Sequence, residues 1–179
     1  MLFQTKYESP VGRLTLASDG TSLTGLWLEG QKYFGGAGKE ERKEQDDIPV
    51  FHAAKEWLDR YFSGKRPGIR ELPLAPAGSE FRQEVFQILC EIPYGETTTY
   101  GEIAKKIAAK HNKTGMSAQA VGGAVGHNPI SIIIPCHRVI GANGSLTGYA
   151  GGVDKKVWLL EKEGVNVAHM TVPAKGTAL

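Results

Sequence analysis

Apolar and polar side chains alternate through the first thirty residues, as in Arg13-Leu14-Thr15-Leu16-Ala17-Ser18-Asp19-Gly20 and then Leu23 to Leu28. A period of two, broken by Asp and Gly, predicts a small antiparallel meander. Gly35-Gly36-Ala37-Gly38 and the charged run from Lys39 to Asp47 show no period and predict a solvent-exposed loop. Phe51, Ala54, Trp57, Leu58, Tyr61 and Phe62 then recur at helical spacing up to Ser63-Gly64, so a helix is expected to pack this stripe on the meander. Pro67, Pro73 and Pro76, with Gly68 and Gly78, interrupt every pattern between residues 64 and 78 and predict a linker.

A second unit opens at Ser79. Phe81, Val85, Phe86, Ile88 and Leu89 mark an amphipathic helix that stops at Ile92-Pro93-Tyr94-Gly95, with Cys90 at its end as a core residue. Thr99-Tyr100-Gly101-Glu102 has the form of a capping box ahead of Ile103, Ala104 and Ile107, so another helix begins there. After a polar turn at His111 to Gly115, a further helix is expected from about Ser117 to His127, in the helix-turn-helix order of a DNA-reading unit. This last helix is built from Ala118, Ala120, Gly122, Gly123, Ala124 and Gly126, although an interior Gly costs roughly 1 kcal/mol relative to Ala. Close approach to a partner surface and tight packing on a neighbouring helix both account for it.

Composition narrows the function classes. The chain has 179 residues, 41% hydrophobic and 22% charged, with no apolar run near the roughly 18 residues of a membrane span. No membrane association is expected. The N-terminus lacks a basic leader followed by an apolar stretch, which points to the cytoplasm. Two cysteines are too few for a disulfide scaffold, so reduced thiols are expected. Five scattered histidines without CxxC or HxxxH spacing predict no metal. The net charge is only +2, but no acidic residue occurs from Ile103 to Val153, where Lys105, Lys106, Lys110, Lys113 and Arg138 stand with His111, His127 and His137. Phosphate contacts need such a stretch.

Ile130 to Ile134 reads as a buried strand leading into Pro135-Cys136-His137-Arg138-Val139. Pro135 restrains the backbone, His137 can act as a base and Arg138 adds positive charge, a setting that favours a thiolate at Cys136. On an extended strand adjacent side chains face opposite ways, so Cys136 and His137 cooperate only if the strand has ended or a water bridges them.

The run from Pro135 to Val139 resembles the active-site signature of the methylated-DNA protein-cysteine methyltransferases, or O6-alkylguanine-DNA alkyltransferases. The resemblance extends through Tyr94-Gly95, Tyr100 to Ala104, Ala120 to Ala124, Asn128-Pro129, Gly148-Tyr149, Gly151-Gly152 and Trp158 to Gly164, and includes Tyr61 to Gly64 and Ser79 to Phe81. It implies an α+β chain. Residues 1–76 would form a structural, ribonuclease H-like domain with a small antiparallel sheet and a helix, and 77–179 a helical, winged-helix-like domain that binds DNA and transfers the alkyl group. Cys136 would take the group from O6-alkylguanine, and from O4-alkylthymine, in a single irreversible turnover. His137 would accept the thiol proton through a water, Glu163 would orient the imidazole, Asn128 would brace the active-site turn, and Tyr100 would donate to the departing guanine. The base would be flipped from duplex DNA into a pocket at Tyr100, Val125, Tyr149 and backbone groups of Val139 and Ala150. Gln119, Ala120, Gly122 and Gly123 would enter the minor groove, with Arg138 adding a DNA contact. The implied partner is double-stranded DNA carrying the lesion, with no cofactor and no obligate protein partner.

This chain has Gln119 where the family pattern has arginine, which implies weaker support for the flipped state. The turn from Lys110 to Met116 is also long. Two rival readings are a non-catalytic module that binds alkylated DNA and a cysteine hydrolase. The thiol argues against the first, and the lack of an oxyanion-hole motif against the second.

Overall fold

The structure is a computed structural model that describes residues 1–31, 34–35 and 41–172. The chain divides into two compact units: Met1–Ala77 with Pro129–Ile133, and Gly78–Asn128 with the residues from Ile134 onward.

In the first unit β1 (Leu2–Ser9), β2 (Gly12–Ser18) and β3 (Leu23–Leu28) form the expected meander, and β4 (Arg42–Glu44) joins β1 in parallel to give the order β3-β2-β1-β4. The expected loop is therefore a strand at Arg42–Glu44, while 36–40 lies outside the described residues. A short edge strand pairs through its backbone and needs no hydrophobic period, which is why its charged side chains hid it. Helix α1 (Pro49–Phe62) buries Phe51, Ala54, Trp57, Leu58 and Tyr61 of the stripe its spacing predicted and leaves Phe62 half-buried, and Leu14, Leu16 and Leu26 are fully buried in the same unit.

The proline-rich stretch is not a slack linker. Trp57 Nε1 donates to Gly68 O at 2.9 Å, Arg60 meets Glu71 at 2.9 Å, and Leu23 pairs its N–H with Pro73 O and its carbonyl with Ala75 N–H, each at 2.8 Å. Proline favours extended backbone, and that backbone is bound to the edge of β3.

In the second unit α2 (Glu80–Cys90) is capped by Ser79, whose hydroxyl accepts from Arg82 N–H, and Cys90 at its end is half-buried. The two-residue β5 (Thr98–Thr99) leads into α3 (Tyr100–Lys110), where Thr99 Oγ1 accepts from Glu102 N–H at 3.1 Å. The Glu102 carboxylate itself meets Lys105 at 3.3 Å. Helix α4 (Ala118–Gly126) follows, capped by Ser117. β6 (Val139–Ile140) pairs in parallel with β5, and α5 (Val153–Lys162) packs Leu160 in a cluster with Ile140 and Leu146.

Ile130–Ile134 is buried as expected but is not a strand. Only Ile130 bridges to Leu26; Ile132 then takes a left-handed φ of 71°, and the chain turns. A continuous apolar run reports burial without specifying backbone shape, because a buried turn needs apolar side chains as much as a strand does.

Gly25 is a packing requirement of the first unit: a Cβ there would fall 2.1 Å from the Trp27 indole, which lies under the Arg42 guanidinium at 4.7 Å. Gly25→Ala must displace that ring. It is expected to lower stability by about 1–3 kcal/mol, with a changed tryptophan emission; denaturant unfolding followed by fluorescence checks this, and an unchanged midpoint contradicts it.

Candidate active site

Pro135, at φ −81° and ψ 64°, ends the turn after Ile134 and starts a single 3-10 turn over Cys136–Arg138. Cys136 N–H donates to Ile134 O at 2.8 Å and Arg138 N–H to Pro135 O at 3.0 Å. Cys136 and His137 therefore project from a tight helical turn, about 120° apart, and the constraint of opposite strand faces does not apply. Cys136 is buried, with 7% of the residue exposed, so the thiol is sheltered.

Asn128 Nδ2 donates to Ile134 O at 2.9 Å, closing the base of the loop that delivers the cysteine. Removing that donor would leave a buried carbonyl short of a partner, at a cost of about 1–3 kcal/mol. β6 follows the cysteine turn directly and pairs Val139 with Thr98 and Ile140 with Thr99, so the first residue of α3, Tyr100, is carried to the cysteine. Burial raises the Tyr100 hydroxyl above its ordinary range and negative charge at Cys136 raises it further, which keeps Tyr100 a proton donor. Its O–H donates to Thr147 O at 3.2 Å.

Glu163, immediately after α5, receives most of the site's polar contacts. Its carboxylate accepts from His137 Nε2 at 2.6 Å, Arg138 Nε at 2.7 Å, Arg138 Nη2 at 3.1 Å and Gly95 N–H at 3.1 Å. Gly95 has φ +79°, and a Cβ there would lie 3.0 Å from Glu163 O, so glycine alone suits the corner. Burial by itself would raise the Glu163 carboxyl, but the His137 hydrogen bond and the Arg138 charge outweigh it and hold the group well below the usual carboxylate range. Burial pushes His137 below the ordinary imidazole range against the pull of Glu163. A neutral ring donating from Nε2 has its lone pair on Nδ1, and among the described residues Nδ1 meets no hydrogen-bond partner. The geometry is an imidazole oriented by a carboxylate, with its lone-pair nitrogen open.

The remaining expected site residues differ in burial and partners. Arg138 is buried, with its guanidinium on Glu163 and Nη1 donating to Ile92 O at 2.7 Å, so its side chain faces inward. The carboxylate left inside the unit requires a cation, and Arg138 supplies it. Val139 is buried with its N–H on Cys136 O and its carbonyl accepting from Lys156, so its backbone belongs to the frame of the site. Gly122 is buried on the inner face of α4 with Val121 and Val125, whereas Gln119 and Ala120 are exposed and Gly123 half-buried. A Cβ on Gly123 would meet nothing within 4 Å, so internal packing does not explain its lack of a side chain. Tyr149 is buried with its ring edge-on to His137 at 6.5 Å, set by a turn in which Gly152, at φ +103°, donates to Tyr149 O at 2.9 Å; Ala150 lies half-buried in that turn. Among the described residues no group of three His, Cys, Asp or Glu side chains could hold a metal ion.

Lys156 escaped the sequence reading. It is fully buried, and its ammonium donates to Val139 O and, at 2.9 Å, to Thr147 O. Burial pushes it down to about 8, opposed by the Cys136 charge. The available signal was a lysine on the apolar stripe of α5, between Val153 and Leu160.

Fold and site together are those of a DNA-repair alkyltransferase. Residues 80–165 match the 6-O-methylguanine DNA methyltransferase DNA binding domain, and residues 2–76 match the 6-O-methylguanine DNA methyltransferase ribonuclease-like domain. The methylated-DNA–protein-cysteine methyltransferase of Haemophilus influenzae is 45% identical over 162 residues, covering 90% of this chain and 86% of the relative. That of Methanosarcina acetivorans is 44% identical, covering 91% and 99%. The crystal structure of Mycobacterium tuberculosis OGT in complex with DNA superposes with a TM-score of 0.77 at 43% identity, covering 90% of this chain and 92% of that one. The chain belongs to the 6-O-methylguanine DNA methyltransferase family and is an enzyme of DNA repair that transfers the alkyl group to a cysteine.

Because His137 folds with its affinity for protons depressed, the unfolded chain binds a proton that the folded chain refuses as pH falls below about 6.5. The stability it contributes is complete above that pH and is lost on acidification, by up to about 1.4 kcal/mol per pH unit. Unfolding free energies measured from pH 7 to 5 are expected to fall, and to fall less steeply in His137→Gln; parallel profiles would contradict the assignment.

Proposed function

We propose that Cys136 is the acceptor, and that the alkyl group comes from O6 of a guanine flipped out of double-stranded DNA, with O4-alkylthymine a second substrate. The observation that carries this reading is the buried Glu163–His137 pair at 2.6 Å, one residue from a sheltered thiol. His137 Nδ1 accepts the thiol proton, directly or through a water, and Glu163 and Arg138 hold the ring. The sulfur attacks the alkyl carbon, the S–C bond forms as the C–O6 bond breaks, and the electron pair stays with guanine. Tyr100 then moves its O–H from Thr147 O to the guanine ring to offset that charge, while Lys156 keeps the Thr147 carbonyl in place. A thioether is a poor leaving group, so the protein is used once. Tyr149 and Ala150 line the base pocket, with Val125 and Val139 beneath them, and the outer face of α4 at Gln119, Ala120 and Gly123 enters the minor groove, where short side chains permit close approach. We assign residues 1–76 a structural role, residues 77–179 the chemistry, and the cytoplasm as the site of action. No helix among the described residues is long and apolar enough to cross a membrane.

Intact mass and peptide mapping after mixing with excess duplex carrying one O6-methylguanine test this reading. One methyl group on the Cys136 peptide, stoichiometric and without turnover, is expected, and Cys136→Ala should stay unmodified. Unmodified wild-type protein that still binds the lesion would favour the binding-module reading.

Gln119 is exposed at the start of α4 and carries no charge to balance phosphates around an extruded nucleotide. Gln119→Arg is expected to tighten lesion binding by roughly 3- to 10-fold at matched salt, and equal or weaker affinity in a titration would refute it.

A further inference from the structure

The turn between α3 and α4 takes no part in the cysteine site. α3 ends with Asn112 at φ 53°, Asn112 N–H on Ala109 O at 3.2 Å and Lys113 N–H on Ala108 O at 2.8 Å, which is a Schellman ending. The backbone of Lys113 is therefore held back against the last turn of α3. Between α3 and this turn lies a groove of about 360 Å³, floored by Gly101, Ala104, Ala108 and Met116 and flanked by Lys105 and Lys113.

Its chemistry suits an amphipathic anion. The floor is apolar and almost without side chains, so a chain can lie close to it. Lys105, Lys106, Lys110 and Lys113 are all exposed, and no acidic residue occurs between Ile103 and Val153. The two nearby carboxylates offer little competition. Glu84 on α2 is held by His111, 2.8 Å from both its oxygens, and the Glu102–Lys105 pair at 3.3 Å is exposed on both sides and easily exchanged. Ala118 at the end of the groove adjoins Gln119 and Ala120, on the face of α4 assigned above to the minor groove.

We propose that this groove is a second DNA contact, holding the sugar–phosphate backbone beside the reading helix, with phosphates at Lys105 and Lys113 and a deoxyribose on the alanines. It rests on the reading that the chain acts on duplex DNA. It does not depend on the Cys136 chemistry.

The test is a salt titration of duplex binding for the full chain, with Lys105→Ala, Lys113→Ala, the double variant and Gly115→Asp, and with Lys65→Ala in the first unit as control. A Cβ on Gly115 meets nothing within 4 Å, so the aspartate places a negative charge at the groove without disturbing the fold. Each lysine variant is expected to make the slope of log K against log salt shallower by about one unit, with duplex affinity several-fold weaker and Gly115→Asp weaker again. Methylation of Cys136 by free O6-methylguanine base should keep its wild-type rate in every variant. Unchanged duplex affinity and slope in the double variant overturn the proposal, whether or not a polyglutamate peptide binds there. An equal loss with the free base overturns it too, because the lysines would then act through the cysteine site. If wild-type protein binds duplex but is alkylated by neither substrate, the functional reading of Cys136 fails while the groove is still measured.

Discussion

A carboxylate sealed inside the second unit is the constraint on which the site depends. An ionised Glu163 in that position is tolerable only if every oxygen is engaged, and it is: by His137, by two nitrogens of Arg138 and by the Gly95 amide. Those four contacts join the end of α5, the corner after α2 and the cysteine turn at one point. They also decide the tautomer of His137, because a ring that donates from Nε2 must accept at Nδ1. Loss of Arg138 would favour a protonated Glu163, which would donate to Nε2 and shift the ring's own proton to Nδ1, so the lone pair there would be gone.

A second set of contacts governs the other side of the thiol. The two-residue pairing of β5 with β6 brings Tyr100 to the cysteine turn, and Thr147 O accepts from both Tyr100 and the buried ammonium of Lys156. Lys156 also holds Val139 O, the residue after the turn. The same lysine thus restrains both stretches of chain against which a base would lie. It acts by positioning, and its burial makes it costly enough that a purely structural residue would be apolar.

The chain's course adds a third restraint. Between Asn128 and Ile134 it crosses into the first unit, where Leu26 N–H donates to Pro129 O at 2.8 Å and Ser131 N–H to Leu26 O at 3.0 Å, and it returns two residues before Cys136. Asn128 ties the two ends of that excursion together. The turn carrying Cys136 is thereby held by Asn128 as well as by Glu163, the kind of over-determined support that reactive groups need.

Much was legible in the order of residues. Alternation marked β1 to β3, the 3.6-residue stripe marked α1, Thr99 and Ser117 marked where α3 and α4 begin, and Pro135 to Val139 marked the candidate cysteine with its neighbours. These are local properties: periodicity and capping act within a few residues, and a reactive cysteine motif is contiguous. Tertiary structure decided what depended on partners distant in the chain. β4 exists because the edge of β1 was open; Ile130–Ile134 turns where a strand was expected because Leu26 pairs with its start and the chain must return; the proline-rich stretch is bound because β3 had an edge to offer. Arg138 looked like a phosphate contact because a side chain's charge is visible in sequence while its direction is not, and only the fold placed Glu163, 25 residues away, at its guanidinium. Lys156 stood in the sequence as a misplaced charge on an apolar stripe, and its meaning awaited the two carbonyls that the fold set above it.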